Sequence, residues 1–260
     1  PLLEAAVSIA QDEYPELDVQ QVLGDVDRLV ERLKRQMPAD AAPLQRLRVL
    51  NQFFFRDLGF AGNVNHYHDP DNSYFNVLLR TRRGIPISLA VLWMELAQCV
   101  GLSAHGVGFP GHFMVKVRLP SGLVVIDPFT GQSLGREALA ERLEPYQLPA
   151  GTEDGFNAPL GLYLQAAPPR DIIARMLRNL KEIYRTEEDW PRMLAVQNRL
   201  IALLPEVWIE YRDRGLLHAA SENAALAVRD LEIYLERAGE AMDHRAITDR
   251  LSMLQGTRPG

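Results

Sequence analysis

The chain has 260 residues, 47% of them hydrophobic, so it can bury a sizeable core; length alone suggests one large domain or two smaller ones, and two are expected. Its 28 Lys and Arg against 34 Asp and Glu give a net charge of -6 with no basic block, which disfavours a nucleic-acid partner. A single cysteine, Cys99, excludes an internal disulfide and a paired-cysteine zinc site, and fits a reducing, cytoplasmic setting.

The amino end, "PLLEAAVSIAQDEYPELD", carries acidic residues early and no basic region ahead of its short apolar segment, so no signal peptide is expected. Further on, no apolar run nears the roughly 18 residues of a membrane span, so no membrane partner is expected either. In "LDVQQVLGDVDRLVERLKRQM", Val19, Leu23, Val26, Val30 and Leu33 form one stripe opposite Glu31, Lys34 and Arg35, which predicts an amphipathic helix. "ADAAPLQRLRVLNQFFFRDLGF" repeats the pattern, with Asp40 as its cap and Gly59 as its stop. Residues 61 to 86 then become polar, aromatic and Gly- and Pro-containing without a sustained period, which reads as a long loop of the kind that often carries function. From Ile87 to Val100 the chain is apolar nearly all round, interrupted by Ser88, Glu95 and Gln98, so a buried helix is expected, ended by Gly101.

Three short runs follow, "AHGVGF", "HFMVKVRL" and "GLVVIDPF", separated by "PG" and "PSG", and they read as antiparallel strands joined by tight turns. In the middle run Phe113, Val115, Val117 and Leu119 alternate with His112, Met114, Lys116 and Arg118, the pattern of a strand with one partly wet side. After a Pro- and Gly-containing connector the chain is helical to its end. There Leu177, Lys181, Tyr184, Met193, Leu200 and Pro205 map, at an offset of 34 residues, onto Tyr211, Gly215, His218, Ala227, Tyr234 and Gly239. Tetratricopeptide repeats have that period and comparable preferences, so a short array of helical pairs is expected, with an ordinary helical bundle as the alternative.

Acyl-transfer chemistry needs a nucleophile, a base within hydrogen-bond reach and a group that fixes the base's tautomer. Ser88, His112 and Asp127 are the candidates. Ser88 falls in the first turn of the buried helix, where unpaired N–H groups steady an oxyanion, while His112 and Asp127 lie at facing ends of neighbouring strands. The glycines of a hydrolase nucleophile elbow would fall at Pro86 and Ala90, so that motif is absent; the order nucleophile, histidine, carboxylate instead parallels papain-like enzymes. Ser88 has a plainer role available as a helix-start residue bonding a backbone N–H, although Pro86 would take the first helical position and put the cap ahead of it.

The stretches "DPDNSYFNVLLRTRRGIPISLAVLWMELAQCVGL", "GVGFPGHFMVKV" and "VVIDPFTG" resemble the SirB family of transglutaminase-like proteins, and the helical tail is similar to the tetratricopeptide repeats that commonly follow that domain. The resemblance implies an α+β, papain-like cysteine-protease-type core, with a small antiparallel sheet on a buried helix, followed by all-α helical repeats. Aligned by motif, the catalytic Cys, His and Asp of the wider fold fall on Ser88, His112 and Asp127, so serine stands where active relatives carry a thiol. A serine hydroxyl does not ionise at neutral pH and must pass its proton to His112 as it attacks.

The expected organisation is a helical lead-in over 1–60, a core over 61–150, a connector over 151–169 and repeats over 170–255. Asn65, Tyr67, Asn72, Ser73, Tyr74 and Arg83 are expected to shape the loop beside the cleft, with Arg83 a candidate partner for Glu95. Cys99, eleven residues past Ser88, reads as a buried structural thiol. His66 and His68 lack a third zinc ligand, and "DPDNSYFNVLLR" fails as a calcium loop, so no metal or other cofactor is expected. The leading expectation is hydrolysis or acyl transfer on a peptide or amide through Ser88. Its rival is a catalytically silent module that binds a protein or peptide partner through the cleft and the repeats, and a metal-dependent function at His66 and His68 is the weaker third alternative.

Overall fold

A computed structural model describes residues 2–146, 159–239 and 241–256, so part of the expected connector, 151–158, lies outside the described residues. The chain divides into two compact units, Pro1–Met176 and Leu177–Gly260.

In the first unit, α1 (Leu2–Ser8) leads to α2 (Val19–Gln36), whose cap Asp18 accepts hydrogen bonds from the Gln20 and Gln21 amides, donors that a helix start leaves unpaired. The buried face of α2 is Val22, Val26, Leu29, Val30 and Leu33, so Val19 and Leu23 stand at its edge rather than on it. The next helix, α3 (Pro43–Asn51), has Pro43 in its first turn and Ala42 as cap, not Asp40. Proline needs no amide partner there and has φ preset, so the start is fixed without an acidic cap. A π-helical turn, Gln52–Asp57, extends α3 and buries Phe53 and Phe54, before Gly59 ends the run at φ 70°.

Residues 61–86 are more ordered than their lack of period suggests. They hold β1 (Ala61–Gly62), a 3-10 turn at Pro70–Ser73, α4 (Phe75–Thr81) and β2 (Arg83–Gly84), with β1 and β2 paired in parallel. Each is too short for a period to register; what holds α4 is the burial of Phe75, Val77 and Leu78.

At the centre lies α5 (Pro86–Cys99), with Pro86 at its first position, Ile85 as cap and 11 of its 14 residues buried. Helices α1 to α4 pack on it, as do β3 (Ala104–Val107) and β4 (Met114–Leu119). With β5 (Gly122–Ile126) and β6 (Ser133–Leu134) these strands form an antiparallel sheet in the order β3-β4-β5-β6. The small sheet on a buried helix is the α+β arrangement expected. His112 does not start a strand; it closes a turn in which its N–H donates to the Phe109 carbonyl, with Pro110 second and Gly111 third at φ 66°. Proline followed by a left-handed glycine is the type II turn pattern. After β6 come α6 (Arg136–Leu143), α7 (Leu160–Tyr163) and α8 (Pro169–Thr186), which contains the division between the units. Cys99 is exposed, not buried: it shares a face of α5 with Gln98 and the half-buried Glu95, one turn earlier, while Val100 and Leu102 beyond it are buried.

In the second unit α9 (Trp190–Leu203), α10 (Trp208–Ala220), α11 (Ala224–Arg237) and α12 (His244–Gly256) pack in succession. The offset positions explain part of this packing. A β-carbon at Gly215 would fall 2.8 Å from Leu231 Cδ2, so the close approach of α10 and α11 needs glycine there, while Ala227 and Leu200 are fully buried. No helix among the described residues is long and apolar enough to cross a membrane.

Candidate functional site

The β4–β5 register, with Val115 opposite Ile126, brings the chain on either side of the hairpin together. His112 Nε2 lies 2.8 Å from Asp127 Oδ1. Asp127 is 2% exposed and also accepts the Phe129 amide at 2.9 Å and Arg142 Nη1 at 3.2 Å. Burial pushes the Asp127 carboxyl up, but the hydrogen bond and charge of His112, the Phe129 amide and the charge of Arg142 outweigh it and bring the pKa down to about 2. An ionised Asp127 only accepts, so His112 Nε2 carries the hydrogen and donates. The backbone carbonyl of His112 accepts from Arg175 Nη2 at 2.9 Å, and that guanidinium lies 5.4 Å over the Phe113 ring. Neither Arg142 nor Arg175 carries a local sequence signal; Arg142 comes from α6 and Arg175 from α8.

Ser88 has no exposed surface. Its hydroxyl donates to the Asn72 carbonyl at 2.7 Å, with the Ile85 carbonyl 3.1 Å away, and accepts the Ile85 N–H at 3.2 Å. The last bond is half of a capping box, the third helical residue reaching back to the cap. Gly84 closes the remaining side: a β-carbon there would sit 2.7 Å from Ser88 Oγ. Thus the structure joins His112 to Asp127, whereas no hydrogen bond among the described residues joins Ser88 to His112.

The loop candidates divide into braces and surface groups. Asn72 is the main brace, its Nδ2 donating to the His66 and Tyr67 carbonyls at 2.6 and 3.2 Å and its Oδ1 accepting Asn63 Nδ2 at 2.9 Å. Tyr74 is buried with its ring edge-on to Tyr14, whose hydroxyl donates to Asp71 at 2.7 Å. Ser73 is buried with its hydroxyl unpaired. Tyr67 is 42% exposed and its ring lies 5.8 Å from that of Phe129, which places it beside the Asp127 turn; burial raises its pKa. Asn65 is exposed and outside this network. Arg83 does not reach Glu95: it donates to the Gly59 and Arg82 carbonyls, and Glu95 has its pKa raised by burial and by the charge of Asp27. His66 and His68 join no group of three ligand-type side chains placed to hold a metal among the described residues.

The second unit has its own groove, of about 730 Å³, in which Trp190, Met193, Ile209 and Leu216 lie among Arg178, Lys181, Arg185 and Arg212. Glu210, 2% exposed, is held there by Arg178 at 2.8 Å, Lys181 at 3.0 Å and Gln197 at 2.9 Å. Trp190 and Ile209 are 42% and 45% exposed, an apolar surface framed by charge that is typical of interaction sites.

Residues 20–178 match the family model of the transglutaminase-like superfamily, and residues 180–252 match that of the tetratricopeptide repeat. A UPF0162 protein of Xylella fastidiosa (strain Temecula1) is 37% identical over 237 residues, covering 91% of this chain and 83% of its own. A UPF0162 protein of Pseudomonas aeruginosa is 27% identical over 97% of this chain and 90% of its own, and UPF0162 protein YchA of Escherichia coli K12 is 26% identical over 92% and 87%. Stacked repeats of the tetratricopeptide kind present extended surfaces for protein interaction.

Proposed function

The chain belongs to the transglutaminase-like superfamily, and from that premise we propose that it is a SirB-type member acting as a catalytically silent protein-binding module. The surface around His112 and Asp127 and the groove of the helical repeats engage a protein or peptide partner. The observation that carries this reading is the state of Ser88. A nucleophile keeps its oxygen open to substrate and its proton aimed at a base. Ser88 is buried and gives its proton to the Asn72 carbonyl, so its oxygen serves as a clamp between the 70–73 turn and the start of α5.

A second reading is favoured by the His112–Asp127 bond: a serine-type amide hydrolase or acyltransferase in which Ser88 attacks, His112 is the base and Asp127 orients it. Treatment with a fluorophosphonate, followed by mass spectrometry of the peptide containing Ser88, separates the two. The binding-module reading expects no adduct on Ser88. An adduct on wild type that disappears in both Ser88→Ala and His112→Ala overturns it in favour of the hydrolase.

A further inference from the structure

A cavity of about 400 Å³ lies between α2 and α4, apart from the His112–Asp127 pair, and its walls are unusually basic for a chain of net charge -6. Arg28 and Arg32 come from one face of α2, Arg80 from α4 and Arg82 from the residue that ends α4; Asp25 supplies the one carboxylate. That carboxylate is already paired with Arg28. Among the described residues Arg32, Arg80 and Arg82 have no carboxylate partner.

Arg82 is the most telling of the four. It sits at φ 60°, a left-handed conformation that favours glycine, so the position sets a guanidinium here against a backbone cost. The guanidinium lies 4.6 Å over the Phe60 ring, which fixes its plane, and its Nη1 is buried with no hydrogen-bond partner. Burial, and then the charge of Arg32, lowers the Arg82 pKa, as expected for guanidiniums held near one another with no anion between them. Asn76, on the same wall, has a buried Oδ1 that is also unpaired. A buried donor and a buried acceptor left open in one cavity call for a ligand that brings both kinds of group.

We propose that this cavity binds a compact phosphate-bearing small molecule that also carries a hydroxyl. A single carboxylate would neutralise only one of the three unpartnered arginines, whereas a phosphate brings up to two negative charges and three acceptor oxygens to planar donors suited to them. The hydroxyl supplies the donor that Asn76 Oδ1 lacks. The volume is that of a small-ligand site rather than of a protein interface.

Isothermal titration calorimetry of the full chain with inorganic diphosphate, at ionic strength held constant with sodium chloride, tests the site. Saturable one-to-one binding is expected, weakened at least about tenfold in Arg82→Gln and in Arg32→Gln. Arg32 is exposed, so Arg32→Gln keeps the test valid if loss of the Arg82–Phe60 stack disturbs folding. Arg118→Gln, on an exposed position of β4, removes the same charge and should bind diphosphate as wild type does. The proposal is overturned by absence of binding to wild type, by unchanged binding in both cavity variants, or by equal weakening in Arg118→Gln. Citrate binding as tightly as diphosphate also overturns it, as does sedimentation with phosphatidylglycerol vesicles that diphosphate does not reverse, which assigns the arginines to a lipid surface.

Discussion

Replacing Ser88 by alanine removes one oxygen that accepts the Ile85 N–H at 3.2 Å and donates to the Asn72 carbonyl at 2.7 Å, in a residue with no exposed surface. Both main-chain partners then stay buried and unpaired, at about 1–3 kcal/mol each, while the better helix propensity of alanine returns about 0.5 kcal/mol. The net expectation is a loss of about 3 kcal/mol. For a unit the size of Pro1–Met176, at about 2–4 °C per kcal/mol, that lowers the melting temperature by about 6–12 °C. Urea unfolding followed through the fluorescence of Trp93, fully buried in the same helix, reads it directly in a Trp190→Phe/Trp208→Phe background. A serine held open in a cleft for catalysis would behave as most surface positions do, changing stability by about 0.5 kcal/mol or less. Ser88→Ala as stable as wild type would therefore refute the clamp and with it the argument that the oxygen is unavailable.

Three other outcomes follow from named contacts. The folded-state pKa of Asp127 is depressed from 3.8 to about 2, so its contribution is present above the unfolded value and is lost as pH falls through the folded one. The stability gap between wild type and Asp127→Asn should narrow by about 1 kcal/mol from pH 7 to pH 3 and by about 2 kcal/mol by pH 2, measured by urea unfolding at each pH; a gap constant with pH contradicts the assignment. Gly215→Ala forces a β-carbon to 2.8 Å from Leu231 Cδ2 and 2.9 Å from its Cγ, in a side chain with no exposed surface. It should destabilise the helical unit by about 1–3 kcal/mol despite better helix propensity, read from circular dichroism melts; a stabilised variant would contradict the close approach. Cys99 should titrate as one accessible thiol with a disulfide reagent in the native protein, more slowly at pH 8 than free cysteine, because partial burial and the charge of Glu95 raise its pKa. Modification only after denaturation would contradict its exposure.

The apolar run of α5 was readable because a helix without a polar face has to be buried, and the alternation in β4 was readable only in part: Lys116 and Arg118 keep to its wetter side, whereas Met114 on that side is fully buried. The 34-residue offset was readable too: Gly215 and Ala227 are small where two helices meet. Between Ala61 and Gly84 no element is long enough for a period, so α4 and the β1–β2 pair are held by packing that only the surrounding core supplies. The cap of α3 departs from the expectation because Pro43 fixes the start by its own geometry, and Cys99 because an apolar stretch does not show which face of its last turn meets the core.

For the site, sequence supplied the residue types at the helix start and beside the two strands, and only the family resemblance set the expectation that Ser88 stands where a nucleophile would. Strand register decided that His112 meets Asp127, and the packing of α6 and α8 brought Arg142 and Arg175 to them. The direction of the Ser88 hydroxyl was decided only in three dimensions. A hydroxyl rotor turns toward whichever acceptor lies nearest, and the carbonyl of Asn72, 16 residues earlier, belongs to a turn whose Asp69-Pro70 start is local but whose place against α5 is set by the packing around it.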